Sequence, residues 1–311
     1  MAVVSHRYQV ARALRAVAWR IERPSRSRRR QVAQPHQDVG ALSRADSEPG
    51  SRKASWFFEQ FPRFYWTSST APTTARLNLR YEAIFAENRD IFEGASVLDL
   101  ASHDGRWSLA ALATGARSVV GIEARPELVA AATENLGEYG YGADRVRFIT
   151  GDMHELFSTQ DFEVDVVLCL GFLYHTLRYN ELFDGIRRTS ARHLIIDTFS
   201  PDMMGPVPNV NVITEDADEE GKAAADSYTH GTAVLVGRPN LAAIQTMLGA
   251  YGYRVERLSD WPGLLRDNPG TENCGDYANE RRITIRCAST TSAPSAPHLI
   301  GSSPRATAPP Q

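Results

Sequence analysis

Between Ser96 and Phe199, short apolar runs alternate with helical stretches, and few folds satisfy that alternation. Ser96–Leu100, Ser118–Ile122, Val146–Ile149, Val164–Leu170 and His193–Phe199 read as strands. Strands that are apolar almost throughout are buried on both faces, which is the signature of a parallel sheet covered by helices. The intervening segments carry helical spacing. Ala71–Phe92 places Leu77, Tyr81, Ile84 and Phe85 on one face. Arg106–Thr114 is apolar and ends at Gly115, and Pro126 opens a stretch in which Leu128, Ala132 and Leu136 align before Gly137. Tyr179–Ser190 and Leu241–Leu248 continue the pattern, and Arg254–Leu258 and Arg281–Cys287 read as late strands. The expected fold class is α/β, with a doubly wound sheet.

Composition narrows the class. The chain has 311 residues, 42% of them apolar and 23% charged. No run of 18 apolar residues is present, so no membrane span is expected. Three cysteines, Cys169, Cys274 and Cys287, stand far apart without a C-x-x-C. That spacing excludes a disulfide framework and a zinc ribbon and fits a reducing compartment, so a cytoplasmic location is expected. Arginine outnumbers lysine 32 to two, a bias that reads as genome composition, GC-rich and bacterial.

Charge is distributed unevenly. Residues 1–53 hold 12 basic and 4 acidic groups, and the remaining 258 hold 22 and 33, so a head of +8 precedes a body of −11. The head, with its Arg26–Arg30 cluster, could touch nucleic acid or an anionic membrane; the blander reading is a solvated extension. An acidic body is a poor default for nucleic acid, which is held mostly by cationic contacts. No signal peptide is visible, because the one apolar stretch is short and broken by Arg12 and Arg15. Residues 1–54 are therefore expected to be a disordered basic extension, 55–288 one domain, and 289–311, rich in Ser, Thr, Ala and Pro, a disordered tail.

Open α/β sheets bind ligands beyond the carboxyl ends of their strands. The first strand ends in Asp99-Leu100-Ala101-Ser102-His103-Asp104-Gly105, which lacks G-x-G-x-x-G, and the chain has no G-x-x-x-x-G-K-[ST]. A glycine-rich phosphate cradle is therefore not expected. Eighteen residues past Gly105, Glu123 ends the second strand, where a carboxylate can accept both ribose hydroxyls of an adenosine ligand. Asp152 follows the third strand, placed to meet an adenine amino group. A lone acid at a strand end is more often a solvated cap, but here three occur in order.

With those three acids the sequence resembles the class I S-adenosylmethionine-dependent methyltransferases, well over Ala95–Phe199 and more loosely over Leu241–Cys287. The resemblance implies a seven-stranded, mostly parallel, Rossmann-like sheet with one late antiparallel strand, and S-adenosyl-L-methionine as cofactor. It places Asp99 and the turn Ala101, Ser102, His103, Asp104 and Gly105 at the methionine part and Glu123 with Ala124 at the ribose. Asp152 with Met153 falls at the adenine, and Leu170 and Gly171 beside the methyl group. The family turn usually reads D-x-G-x-G-x-G, whereas Ala101 and His103 stand where the first two glycines would be. Alanine fits there if its φ is negative.

The loop after the fourth strand, Cys169-Leu170-Gly171-Phe172-Leu173-Tyr174-His175-Thr176, flanks the transferring methyl group in this family. It lacks N/D-P-P-Y/F, the pattern of enzymes that methylate nucleic-acid amines. It resembles the loop of small-molecule methyltransferases, and also that of the enzyme that carboxymethylates tRNA wobble uridine. A small-molecule acceptor is expected, with nucleic acid and membrane not expected as partners. A tRNA-modifying enzyme and a non-catalytic cofactor-binding module are the alternatives. If the acceptor must lose a proton, His175 is the candidate base, with Tyr174 behind it; a packing or capping histidine is the alternative. No His, Asp or Glu set has metal-ligand spacing, so no metal is expected. Ser200–Pro239 reads as a long loop, a functional lid or disordered, and the seven aromatics of Trp56–Trp66 either as the facing wall of the acceptor pocket or as core under the first helix.

Overall fold

A computed structural model describes residues 56–67, 74–219, 221–271 and 273–291, so the basic head and the final tail lie outside the described residues. In chain order the main elements are α1 (Thr74–Ile84), β1 (Ser96–Leu100), α2 (Arg106–Thr114), β2 (Ser118–Glu123) and α3 (Pro126–Glu138). They continue with β3 (Val146–Thr150), α4 (Met153–Thr159), β4 (Val166–Leu170), α5 (Tyr179–Arg188) and β5 (His193–Phe199). Last come β6 (Val210–Asp216), β7 (Ala233–Pro239), α6 (Leu241–Ala250), β8 (Tyr253–Leu258), α7 (Trp261–Asp267) and β9 (Arg282–Ser289). Seven strands form one sheet in the order β3-β2-β1-β4-β5-β9-β8. β1 to β5 pair in parallel, and β9 is antiparallel to both β5 and β8, as expected for the late strand.

Alternation along each strand divides the core. Val97, Val119, Val166, Leu168 and Ile195 pack with residues of α1 and α2 on one face. Leu98, Ile122, Val167, Cys169 and Ile196 pack with α5 and α6 on the other. Two carboxylates, Asp99 and Asp197, break the apolar pattern in the middle of buried strands.

Three expectations need correction. The helix expected over Ala71–Phe92 stops at Ile84, with 71–73 outside the described residues. The cause is Asn88, whose side-chain amide donates to the Ala83 and Ile84 carbonyls at 3.2 and 2.9 Å and so satisfies the helix end. The segment expected as a loop over Ser200–Pro239 contains a β-ribbon, β6 with β7, over a small cluster of Ala223, Val234 and Val236. It docks on the main sheet's rim: Gly237 N–H donates to the Thr176 carbonyl at 3.0 Å, and a Cβ at Gly237 would meet the Tyr179 hydroxyl at 2.5 Å. The aromatics of Trp56–Trp66 are scaffold. Phe57 stacks on Tyr81 at 3.7 Å, Phe58 meets Trp107 edge-on, and Phe61 and Phe64 cover Tyr139. Large apolar rings gain most by covering the outer sides of α1, α2 and α3, and Trp66 is left 85% exposed.

Candidate active site

The strand order reverses between β2-β1 and β4, and there the carboxyl ends open into a cavity of about 210 Å³. That is far more than the roughly 10–15 Å³ a single water needs, so the opening is ligand-sized. Residues after β1 (Ala101, His103), at the end of β2 (Ile122, Glu123, Ala124), after β3 (Asp152, Met153) and in the β4 loop (Leu170, Gly171, Phe172, Tyr174, His175) line it. The ribbon segment closes one side with Gly221–Asp226, Val234 and Leu235.

The β1 turn is tied to Glu123. Its carboxylate accepts from the His103 N–H and from the Arg125 N–H, each at 3.0 Å, which fixes both oxygens while leaving lone pairs toward the cavity. Ala101 and His103 have φ of 54° and 52°. The expectation of a negative φ at Ala101 is therefore wrong: the turn keeps the left-handed backbone usually given to glycine, at a cost of order 1 kcal/mol per residue.

Four residues expected at the cofactor do not line the cavity: Asp99, Ser102, Asp104 and Gly105. Ser102 N–H is taken by the Ile122 carbonyl at 2.9 Å. Asp104 is buried against Arg106 at 3.0 Å. Gly105 answers a packing need, with φ of 83° and Leu136 2.6 Å from where its Cβ would lie. Asp99 is 1% exposed and accepts from the Ser108 hydroxyl at 2.7 Å, while its Oδ1 has no partner. Burial, only partly offset by Ser108 and Arg106, pushes its carboxyl up to about 7.

Asp152 lines the cavity and also caps α4, accepting from His154 N–H at 2.7 Å. Its other oxygen accepts from Arg178 at 3.1 Å. The residues present fit an adenosine-type cofactor: Glu123 offers two fixed oxygens, and Ala124, Met153 and Leu170 give apolar walls.

His175 is held by a partner that sequence reasoning missed. Its Nδ1 lies 2.5 Å from Glu215 Oε2, a carboxylate on β6 whose side chain is 2% exposed. Burial alone would raise Glu215, but the hydrogen bond from His175 and the imidazole charge hold it below the usual carboxylate range. Tyr174 turns elsewhere: its hydroxyl oxygen accepts from Arg282 Nη1 at 3.1 Å. Arg76, Arg80, Arg106 and Arg282 also line the cavity and were not expected. The signals were a charged residue on the buried face of α1 and the Arg282/Thr284/Arg286 alternation on β9.

The sequence model of a family described as "Methyltransferase domain" matches residues 97–192, from β1 to the entry of β5. No curated protein matches the chain. Among solved structures, a magnesium protoporphyrin IX methyltransferase from Synechocystis with bound SAH is 17% identical, over 75% of this chain and 94% of that one, with a TM-score of 0.45. An S-adenosylmethionine-dependent methyltransferase from Clostridium acetobutylicum is 13% identical over 75% and 99%, also at 0.45. One from Mesorhizobium loti is 15% identical over 64% and 92%, again at 0.45. Residues 97–192, which hold β1 to β4 of the sheet, thus match a methyltransferase domain.

Proposed function

We propose that this methyltransferase acts on a small-molecule acceptor held between the β4 loop and the β6–β7 ribbon, with His175 as its base. The observation that carries the reading is the contact, 2.5 Å long, between the cavity-lining His175 and Glu215 of the ribbon behind it. An ionised carboxylate on Nδ1 fixes the imidazole's tautomer and orientation and leaves Nε2 to take a proton. The Ala223 N–H also donates to Glu215 at 3.0 Å, and Arg238 lies 3.5 Å from its other oxygen, so the carboxylate is positioned before any acceptor arrives.

We assign the remaining roles from the family resemblance and the cavity lining. Glu123 receives the ribose hydroxyls, Asp152 and Met153 border the adenine, and Ala101, His103, Leu170 and Gly171 flank the methionine arm. When bound, S-adenosylmethionine supplies an electrophilic methyl on a sulfonium. The protein's part is to align the acceptor, hold its proton at His175 and exclude water with residues 221–226; positioning of this kind is worth up to roughly 7–11 kcal/mol. A module that only stored the cofactor would have no use for a carboxylate-oriented imidazole.

A mass-spectrometric search for methylated products in a bacterial metabolite pool tests the reading, run with wild type and His175→Ala. Products formed by wild type and lost in the variant are expected. Equal yields from both would remove His175 from the chemistry, and methylation of added tRNA instead would overturn the small-molecule acceptor.

A further inference from the structure

One end of the cavity holds more positive charge than its partners neutralise. Arg76, Arg80 and Arg282 all line it, and their side chains are 11%, 8% and 9% exposed. Two carboxylates face them. Asp276 pairs with Arg76 at 2.6 and 2.7 Å. Asp197 takes Arg282 at 2.6 Å and Arg80 at 3.1 Å, together with the Tyr277 and Thr284 hydroxyls at 2.8 and 2.9 Å. Both acids stay ionised: burial would raise Asp197, but Arg282 and Arg80 hold it at about 2, and Arg76 keeps Asp276 below its usual range. Among the described residues, Arg80 and Arg282 share the single carboxylate of Asp197, which leaves one positive charge in excess.

Two donors of these lining side chains have no acceptor among the described residues. Arg80 Nε is buried without a partner, its guanidinium stacked over Trp107 at 4.7 Å. The Tyr174 oxygen is occupied by Arg282, which leaves the hydroxyl proton for an acceptor atom from a ligand. This end also adjoins the reacting edge. A Cβ added at Gly171 would meet Arg282 Nη2 at 3.3 Å and the Tyr174 hydroxyl at 3.7 Å, and the Tyr174 ring centroid is 4.2 Å from that of His175. A buried donor left unpaired costs free energy, and a buried cation left uncompensated costs more. A ligand that brings one negative charge offsets the cost of the excess cation.

We propose that Arg80, Arg282 and Tyr174 form a carboxylate subsite, and that the acceptor is a small molecule carrying one carboxylate in addition to the atom presented to His175. The proposal rests on the reading of the cavity as a methyltransferase site. A single excess charge matches a monoanion better than a phosphate dianion. The planar guanidinium donors suit a carboxylate, and the walls of Trp107, Phe172 and Tyr174 suit a flat body behind it. The other source of a carboxylate is the cofactor's own amino-acid moiety, and the test separates the two.

The probes are benzoate and its neutral analogue benzamide, titrated against the full chain by ligand-observed NMR, with and without saturating SAH. Benzoate is expected to bind at least about tenfold more tightly than benzamide, the return of a charge-assisted pair in a buried site. Arg80→Gln should erase that preference and leave SAH affinity within about twofold; Tyr174→Phe, which keeps the ring and its packing, should reduce it severalfold. Equal binding of the two probes to wild type would overturn the proposal without any variant. So would an Arg80→Gln chain that loses SAH affinity tenfold while keeping its benzoate preference, because the carboxylate partner would then be the cofactor. A wild-type chain that prefers benzoate but never binds SAH would keep the anion subsite and defeat the cofactor reading instead.

Discussion

Asp99 and Asp197 lie on the same face of the same sheet, 1% and 0% exposed, and their acidities move in opposite directions. Asp99 rises to about 7 because burial outweighs one hydroxyl and a nearby guanidinium. Asp197 falls to about 2 because two guanidiniums and two hydroxyls outweigh the same burial. The difference separates the two ends of the cavity. Near Asp99 the cavity is lined by strand ends, with the Glu123 carboxylate held by the His103 and Arg125 N–H groups. Near Asp197 it is built from ion pairs, with cation left over. A cofactor bearing an ammonium and a ribose suits the first end, and an anionic acceptor suits the second.

The two ends should fail differently. His175→Ala should give the largest effect, a fall in kcat of about 10²–10⁴ for an acceptor that must be deprotonated. Cofactor Kd measured by calorimetry should hold. Glu215→Gln should reproduce part of that loss and shift the pH–rate profile, because the imidazole loses its charged anchor. Unchanged kinetics in both variants would leave the pair a structural contact.

Next in size is the ion cluster. Asp197→Ala should destabilise the fold by roughly 3–5 kcal/mol, since it leaves Arg80 and Arg282 buried without their partner. Chemical denaturation measures it, and a loss below about 1 kcal/mol would mean that the cluster is already solvated.

Legibility followed the same division. The end we assign to the cofactor is local in sequence: Ala101, Glu123 and Asp152 each stand at or just past a strand end, so strand boundaries alone point to them. Seven of the nine strands were readable for the same reason, since apolar runs bounded by helices announce themselves. The end we propose for the acceptor is assembled from Arg80, Tyr174, Asp197, Glu215 and Arg282, whose first and last members lie 202 residues apart. They meet only because β9 inserts antiparallel beside β5, setting Thr284 opposite Asp197, and because the ribbon brings Glu215 to His175. The ribbon itself was missed because Pro, Gly and acidic residues around it mask two strands of seven residues. The aromatic segment misled because seven rings must be buried, yet burial says nothing of what they cover.

Glu123→Ala should weaken the cofactor by at least about tenfold, the roughly 1.5–3 kcal/mol of a lost charged partner. It should leave the benzoate preference of the opposite end intact. If both move together, the ends are coupled through the β1 turn and cannot be treated apart.

The opposite acidities also predict opposite pH signs for stability. A depressed carboxyl contributes stability above its unfolded value, near 4, that is lost as pH falls through its folded value. Asp197 should therefore cost stability as pH drops from about 4 to about 2. A raised carboxyl is neutral without cost below its unfolded value and penalises the fold as pH rises toward its folded value. Asp99 should therefore erode stability between about pH 4 and 7. Melting curves of wild type and Asp99→Asn across pH 3 to 8 should converge at the acid end and separate toward neutrality, with the variant more stable there.

The smallest effect lies in the β1 turn. Ala101 and His103 hold φ near +54° and +52°, and a left-handed backbone costs a residue with a Cβ of order 1 kcal/mol. Ala101→Gly removes that strain but adds freedom to the unfolded chain, a cost of about 0.4–1 kcal/mol. The net change in stability should be small, within about 0.5 kcal/mol either way. The informative readout is therefore affinity. If the turn is preorganised, its geometry is enforced by the bond from His103 N–H to Glu123 and by the Ser102 bond to the Ile122 carbonyl. Loosening Ala101 should then leave cofactor Kd within about twofold, because those bonds still fix the loop. A larger loss would mean that the methyl of Ala101, which lines the cavity, contributes contact of its own. In that case the cofactor end reads shape as well as charge.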